Sequence, residues 1–200
     1  MNLQPHSKVF VKQLHEIGEW LGFETRNKYS IQDQNQIVIG YAAEQQKGLL
    51  GFLFRQWLGH WRRFDIHFFN TQRELIMIAH HPFRFIFTRV ELRDDQHRSL
   101  GAIQKRFAFF SKRFHVEDEA GQILLTVSSP IWKFWTFTFQ RQDQKAAEVK
   151  KRWSGLLSEA FTDKDNFLVD FIDSQLSERD KKLILASAVY IDLEYFEKKA

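Results

Sequence analysis

Ile66-His67-Phe68-Phe69-Asn70-Thr71-Gln72-Arg73-Glu74-Leu75-Ile76-Met77 is the stretch on which the fold turns. Ile66 and Phe68 alternate with His67, a polar run covers Asn70 to Glu74, and apolar residues resume at Leu75. This is the pattern of a strand, a polar turn and a returning strand. It recurs at an offset of about 24 residues: Ile66 and Phe68 fall on Val90 and Leu92, then on Phe114 and Val116, then on Thr138 and Gln140. The turn positions follow at Asn70, Asp94, Asp118 and Gln142, and the returning element Leu75-Ile76-Met77 matches Ser99-Leu100-Gly101 and Ile123-Leu124-Leu125. Self-similarity at a fixed period marks one supersecondary unit repeated. The unit is a hairpin, and its fourth copy is the most degraded.

Upstream, Tyr29 and Ile31 alternate before Asp33-Gln34-Asn35-Gln36, and Ile37, Ile39 and Tyr41 alternate after it, adding a further hairpin. About ten to twelve antiparallel strands rarely stay open, because exposed edges must be paired or covered. Closure follows, and a barrel of that size is too wide for its own side chains to fill. The filler is at the other end of the chain. Leu183 to Leu193 is apolar apart from Ser187 and Asp192, and Ser177 with Asp180 three residues on reads as a cap, which predicts a helix from about Glu178 to Phe196. The apolar run would be roughly 16 Å long against roughly 30 Å of bilayer hydrocarbon, so it is expected inside the fold rather than across a membrane. The architecture expected from the repeat is mainly β, a closed antiparallel barrel of about ten to twelve strands plugged by this helix. Residues 1–200 form one domain, with 1–7 a short tail.

Composition excludes several classes. The 200 residues include 21 Phe, six Trp and four Tyr but only three Pro, which favours sheet and aromatic packing. With no Cys there is no disulfide framework, thiolate metal site, cysteine nucleophile or S-acylation. The net charge of +4 divides into +3 over residues 1–100, +5 over 101–152 and −4 over 153–200. A basic middle suits an anionic partner, either nucleic acid or a lipid surface. Residues 1–22 lack an apolar run long enough for a signal-peptide core, so the expected location is intracellular, cytoplasmic with peripheral membrane association.

Candidate chemistry is sparse. Gly48 and Gly51 fit no phosphate-binding loop, and Trp153-Ser154-Gly155 lacks the spacing of a hydrolase elbow. His80 and His81 are adjacent on a strand, so they point to opposite faces and do not share a metal. Neither has an obvious partner in the sequence. Lys105-Arg106-Phe107 and Lys112-Arg113-Phe114 could stack single-stranded nucleic acid, but strands with Phe inside and Arg outside give the same text, and that plainer reading is preferred. Leu49 to Trp61 carries apolar residues at helical spacing, and there Trp57, Trp61, Arg62 and Arg63 combine the residue types that settle at a membrane interface. They are the candidate lipid contacts, against the alternative of packing over a barrel mouth.

Three stretches carry a resemblance: Gly22-Phe23-Glu24-Thr25-Arg26-Asn27-Lys28-Tyr29, then Lys151-Arg152-Trp153-Ser154-Gly155-Leu156-Leu157-Ser158-Glu159-Ala160-Phe161-Thr162-Asp163, then Tyr190-Ile191-Asp192-Leu193-Glu194-Tyr195-Phe196-Glu197. In this order they resemble the phospholipid scramblase family, over about residues 8 to 197. The resemblance implies a tubby-like fold, a closed antiparallel barrel of about 12 strands around a buried C-terminal hydrophobic helix, shared with LURP-one-related proteins, and an activity of binding membrane phospholipids and moving them between leaflets, with no covalent catalysis. The alternative is a non-transporting lipid- or phosphoinositide-binding module. The resemblance also implies a calcium segment at Asp163 to Phe171, where Asp163, Asp165, Asn166 and Asp170 supply hard oxygen donors. Leu168 stands where an EF-hand has its turn glycine, so any calcium binding is expected to be weak. The animal members' palmitoylated Cys cluster has no counterpart here, where Ala79-His80-His81-Pro82-Phe83-Arg84-Phe85 stands.

Overall fold

The computed structural model describes residues 1–14, 27–45, 64–82, 88–133, 135–152 and 166–196. Among them are twelve strands: β1 (Lys8–Leu14), β2 (Lys28–Gln32), β3 (Val38–Gln45), β4 (Phe64–Phe69), β5 (Leu75–His81), β6 (Arg89–Asp94), β7 (Ser99–Arg106), β8 (Ser111–Glu117), β9 (Ile123–Pro130), β10 (Thr136–Arg141), β11 (Gln144–Arg152) and β12 (Asn166–Phe171). One helix, α1 (Glu178–Tyr195), follows them. Every strand pairs antiparallel with its chain neighbours, and β1 pairs with β12, so the sheet closes. The barrel expected from the repeat is the barrel that forms.

The period of the sequence is visible as a repeated turn. Asp33, Asn70, Asp94 and Asp118 each accept two backbone N–H groups on Oδ1, from the residues two and four positions on, at 2.8–3.0 Å. The residue three positions on has positive φ in every case: Gln36 (65°), Arg73 (66°), His97 (61°) and Gly121 (80°). A short polar side chain that satisfies local N–H groups makes this loop possible without glycine. The fourth repeat departs from the pattern. Gln142 and Asp143 form a two-residue turn with φ of 47° and 63°, the mirror-image geometry that suits a tight hairpin. The shorter turn shifts the strand phase, so Phe137 and Phe139 face the core, not Thr138 and Gln140 as the simple alignment placed them. A shift of one residue exchanges the faces of a strand.

On the inner face, Ile66 and Phe68 of β4, Val90 and Leu92 of β6, and Phe114 and Val116 of β8 are fully buried. Around them α1 has no exposed side, since every residue from Leu183 to Leu193 is buried. It meets strands all round the wall: Tyr29 of β2 donates to Asp192, Phe114 of β8 packs edge-on against Tyr190, Phe137 of β10 lies beside Tyr195 and Lys151 of β11 reaches Asp192. The helix therefore occupies the lumen. Gly101 of β7 lets it come close, because a Cβ there would sit 3.3 Å from Leu183 and 2.2 Å from the Glu117 carbonyl oxygen, at a φ of +137°. The predicted cap is present: Ser177 Oγ accepts the Asp180 N–H, and the Asp180 carboxylate accepts the Ser177 N–H.

Residues 1–7, expected as a short tail, are folded across the barrel end where α1 begins. Leu3 is fully buried, and its N–H donates to both carboxylate oxygens of Glu178 at 2.9 and 3.1 Å. Lys181 Nζ donates to the carbonyl oxygens of Leu3, Gln4 and His6 at 3.2, 2.8 and 2.8 Å. The segment looks unstructured in sequence because its partners belong to the first turn of the helix at the far end of the chain.

Candidate functional site

The two rims of the barrel differ. One carries the short Asx turns, the Gln142-Asp143 turn, the β12–α1 connection and the N-terminal segment. At the other, which we term the loop rim, β1, β3, β5, β7, β9 and β11 end and β2, β4, β6, β8, β10 and β12 begin. Residues 46–63, with Trp57, Trp61, Arg62 and Arg63, join β3 to β4 there, and 153–165, with Asp163 and Asp165, join β11 to β12. These six candidates lie outside the described residues.

Inside the loop rim the wall becomes polar. Lys105, Lys112 and Lys151 point inward toward the end of α1. Lys105 Nζ lies 2.9 Å from Glu194, and Lys151 Nζ lies 3.4 Å from Asp192, which also accepts the Tyr29 hydroxyl at 2.8 Å. Lys112 Nζ sits 4.4 Å from the Tyr195 ring centre and 5.0 Å from that of Phe196, and Trp135 stacks on Phe196 at 4.9 Å. Burial, with the nearby Glu194 charge, pushes the Tyr195 hydroxyl well above its ordinary pKa, so it stays neutral. This cluster closes the mouth with paired charges and rings.

The outer edge of the same rim is apolar and exposed. Phe107, Phe109 and Phe110 in the β7–β8 connection are 72%, 80% and 76% exposed. Ile131 and Trp132, in the 3-10 turn between β9 and β10, are 56% and 77% exposed. The two tips adjoin, since the Ile131 N–H donates to the Phe110 carbonyl oxygen. Lys105-Arg106-Phe107 and Lys112-Arg113-Phe114 thus have different fates: Phe114 is core, whereas Phe107 lies past the end of its strand in open solvent. The clue available in sequence was Phe107-Ala108-Phe109-Phe110, an aromatic run in the place of a turn.

The remaining candidates separate. His80 and His81 face opposite sides as expected, but both have partners: His80 Nδ1 meets Asp65 Oδ1 at 2.5 Å, and His81 stacks on Phe64 at 4.5 Å. Asp170 pairs with Lys8 at 3.7 Å on the outside of the barrel. Asn166 is buried at the opposite end of β12, four residues away, or about 13 Å along an extended strand, too far for one ion to hold both. No group of three His, Asp or Glu side chains suited to a metal occurs among the described residues. No described helix is long and apolar enough to cross a membrane.

A twelve-stranded antiparallel barrel threaded by its own C-terminal helix, with one rim of tight turns and one of aromatic and basic tips, is the class defined by this geometry. The scramblase family model matches residues 2–198, and the chain belongs to that family. It is 23% identical to a phospholipid scramblase family protein of Schizosaccharomyces pombe, over 95% of this chain and 59% of that one. It is 24% identical to phospholipid scramblase 1 of Homo sapiens, over 95% of this chain and 63% of the relative. A third relative, altered inheritance rate of mitochondria protein 25 of Saccharomyces cerevisiae, is 24% identical over 95% of this chain and 70% of its own length. The chain thus spans about 60% of the length of the first two. No solved structure matches it.

Proposed function

We propose that this chain binds membrane phospholipids as a peripheral protein, from the cytoplasmic side. The observation that carries the reading is the scramblase match over nearly the whole chain. The basic middle segment supports an anionic surface as the partner. A second reading, that it also moves lipid between leaflets, has the family in its favour. Against it stands the filled lumen: a lipid headgroup needs a polar path through the hydrocarbon, and a barrel occupied by α1 offers none.

Co-sedimentation with phosphatidylserine-containing vesicles tests the binding, which should fall with added salt because ions screen the attraction of basic residues to the surface. No sedimentation at low salt would overturn it. Within this reading Trp57 and Trp61 enter the interface and Arg62 and Arg63 meet phosphate. Trp57→Ala with Trp61→Ala should then weaken binding at every salt concentration, while Arg62→Gln with Arg63→Gln should flatten the salt dependence. Transfer of dye-labelled lipid between liposome leaflets, with and without Ca²⁺, separates binding from scrambling.

Calcium, where it binds, uses Asp163 and Asp165 with Asn166, whose place on β12 is within reach of chain joining at the loop rim. Without an EF-hand turn the site is not preorganised, so a dissociation constant of about 10⁻⁴ to 10⁻³ M is expected. Calorimetry measures it. Unchanged calcium heats in Asp163→Ala with Asp165→Ala would exclude these ligands.

A further inference from the structure

We propose that the bilayer is entered by the paired tips of the loop rim, Phe107, Phe109 and Phe110 together with Ile131 and Trp132, a contact separate from the Trp57–Trp61 segment. The inference rests on the lipid-binding reading and names the surface that performs it. These five residues cluster at one end of the barrel with most of their surface in water. The rings of Phe107 and Phe109 meet edge-on at 4.9 Å, and Phe109 and Phe110 lie 6.5 Å apart, so the tip is a connected apolar wedge. An aromatic cluster left in solvent signals an interaction site more strongly than scattered apolar residues do.

The charges beside the wedge choose the partner. From Lys105 to His115 the chain has four basic residues and no acidic one, and the second tip adds Lys133. Arg113 and Lys133 are exposed and have no ion-pair partner among the described residues. Arg106 is already engaged by Glu117 and His115, which leaves Arg113 and Lys133 for phosphate. Rings at the headgroup boundary with cations just behind them are the arrangement that holds an amphipathic surface on anionic lipid. Single-stranded nucleic acid fits less well, because Phe114, the ring it would need along the strand face, is in the core. The opposite rim supplies an internal comparison: its exposed Ile37, Ile123 and Ile172 belong to three separate connections, just before β3, at the start of β9 and just after β12, and no exposed aromatic residue stands with them among the described residues.

The test uses the full chain and phosphatidylserine–phosphatidylcholine vesicles. Phe109→Ser, Phe110→Ser and Trp132→Ser combined should lower partitioning roughly fivefold per ring and so about a hundredfold together, from the apolar area withheld from lipid. Melting should stay unchanged, since these side chains touch little. Ile37→Ser with Ile123→Ser should bind as the unaltered chain does. Because the chain has no Cys, Phe109→Cys carrying an environment-sensitive dye gives a direct reading: it should blue-shift on vesicles and be quenched by spin-labelled lipid, whereas Ile123→Cys should do neither. Binding that survives the triple substitution, with an unquenched dye at position 109, overturns the inference and leaves lipid binding to another surface. A native chain that never binds vesicles removes the lipid reading itself. Self-association abolished by the triple substitution, with vesicle binding intact, overturns the inference in favour of a second copy as the occupant.

Discussion

A chain ending at Ser177 is expected in the insoluble fraction rather than as a smaller barrel. Leu183, Ile184, Leu185, Val189, Ile191 and Leu193 are each no more than 1% exposed, and all of them leave with the helix. Loss of a large buried side chain costs about 2 to 5 kcal/mol, so removing several exceeds the roughly 5 to 15 kcal/mol by which folded domains are stable. The strands would then surround an apolar hollow lined by Phe68, Phe114, Phe137 and Phe139. Expression with fractionation checks the outcome, and a monomeric, soluble truncated chain with native strand content would contradict the assignment of α1 as core. The milder Leu185→Ala should fold and lose about 2 to 5 kcal/mol in urea denaturation.

Asp192→Ala is expected to be the most damaging single polar substitution. The Asp192 side chain is 1% exposed and answers two donors at once, Lys151 Nζ and the Tyr29 hydroxyl. Its removal leaves the ammonium of Lys151, whose side chain is 8% exposed, between the rings of Phe167 and Phe196, at 5.2 and 4.5 Å. Breaking a buried pair from one side costs about 3 to 5 kcal/mol, whereas replacing both partners by apolar groups is often neutral. Melting should fall by about 10 °C in Asp192→Ala and recover in Lys151→Met with Asp192→Leu and Tyr29→Phe, which leaves neither donor without its acceptor. Equal losses in the single and the combined variant would mean that these polar groups contribute through shape alone.

How far the sequence could be read depended on how local each determinant was. The hairpins were legible because each Asx turn is encoded within five residues, from Asp94 to Arg98 for example. The plug was legible because α1 is apolar on every side, which leaves only a lumen or a membrane to receive it. The fourth hairpin misled because its turn is shorter, and turn length sets which residues face inward. The inward Lys105 and Lys151 were not legible as a pair of buried charges, because their partners Glu194 and Asp192 lie 89 and 41 positions away on α1. Residues 1–7 passed for a tail since Glu178 and Lys181 are some 175 positions away. The exposed wedge was the hardest to foresee: alternation places Phe107 on a strand, and only the observed end of β7 at Arg106 puts it outside.

The seam between β1 and β12 has a consequence for how the protein is made. The first strand of the barrel waits for the twelfth, and the helix that fills the interior follows both. During translation at about 5 to 20 residues per second, the growing sheet therefore carries an unsatisfied apolar face and two free edges until β12 and α1 emerge. Contacts between such distant parts of a chain also form slowly. This architecture concentrates its aggregation hazard in the interval between the emergence of β1 and the docking of α1, and any cellular factor that shields nascent chains would act on it during that interval.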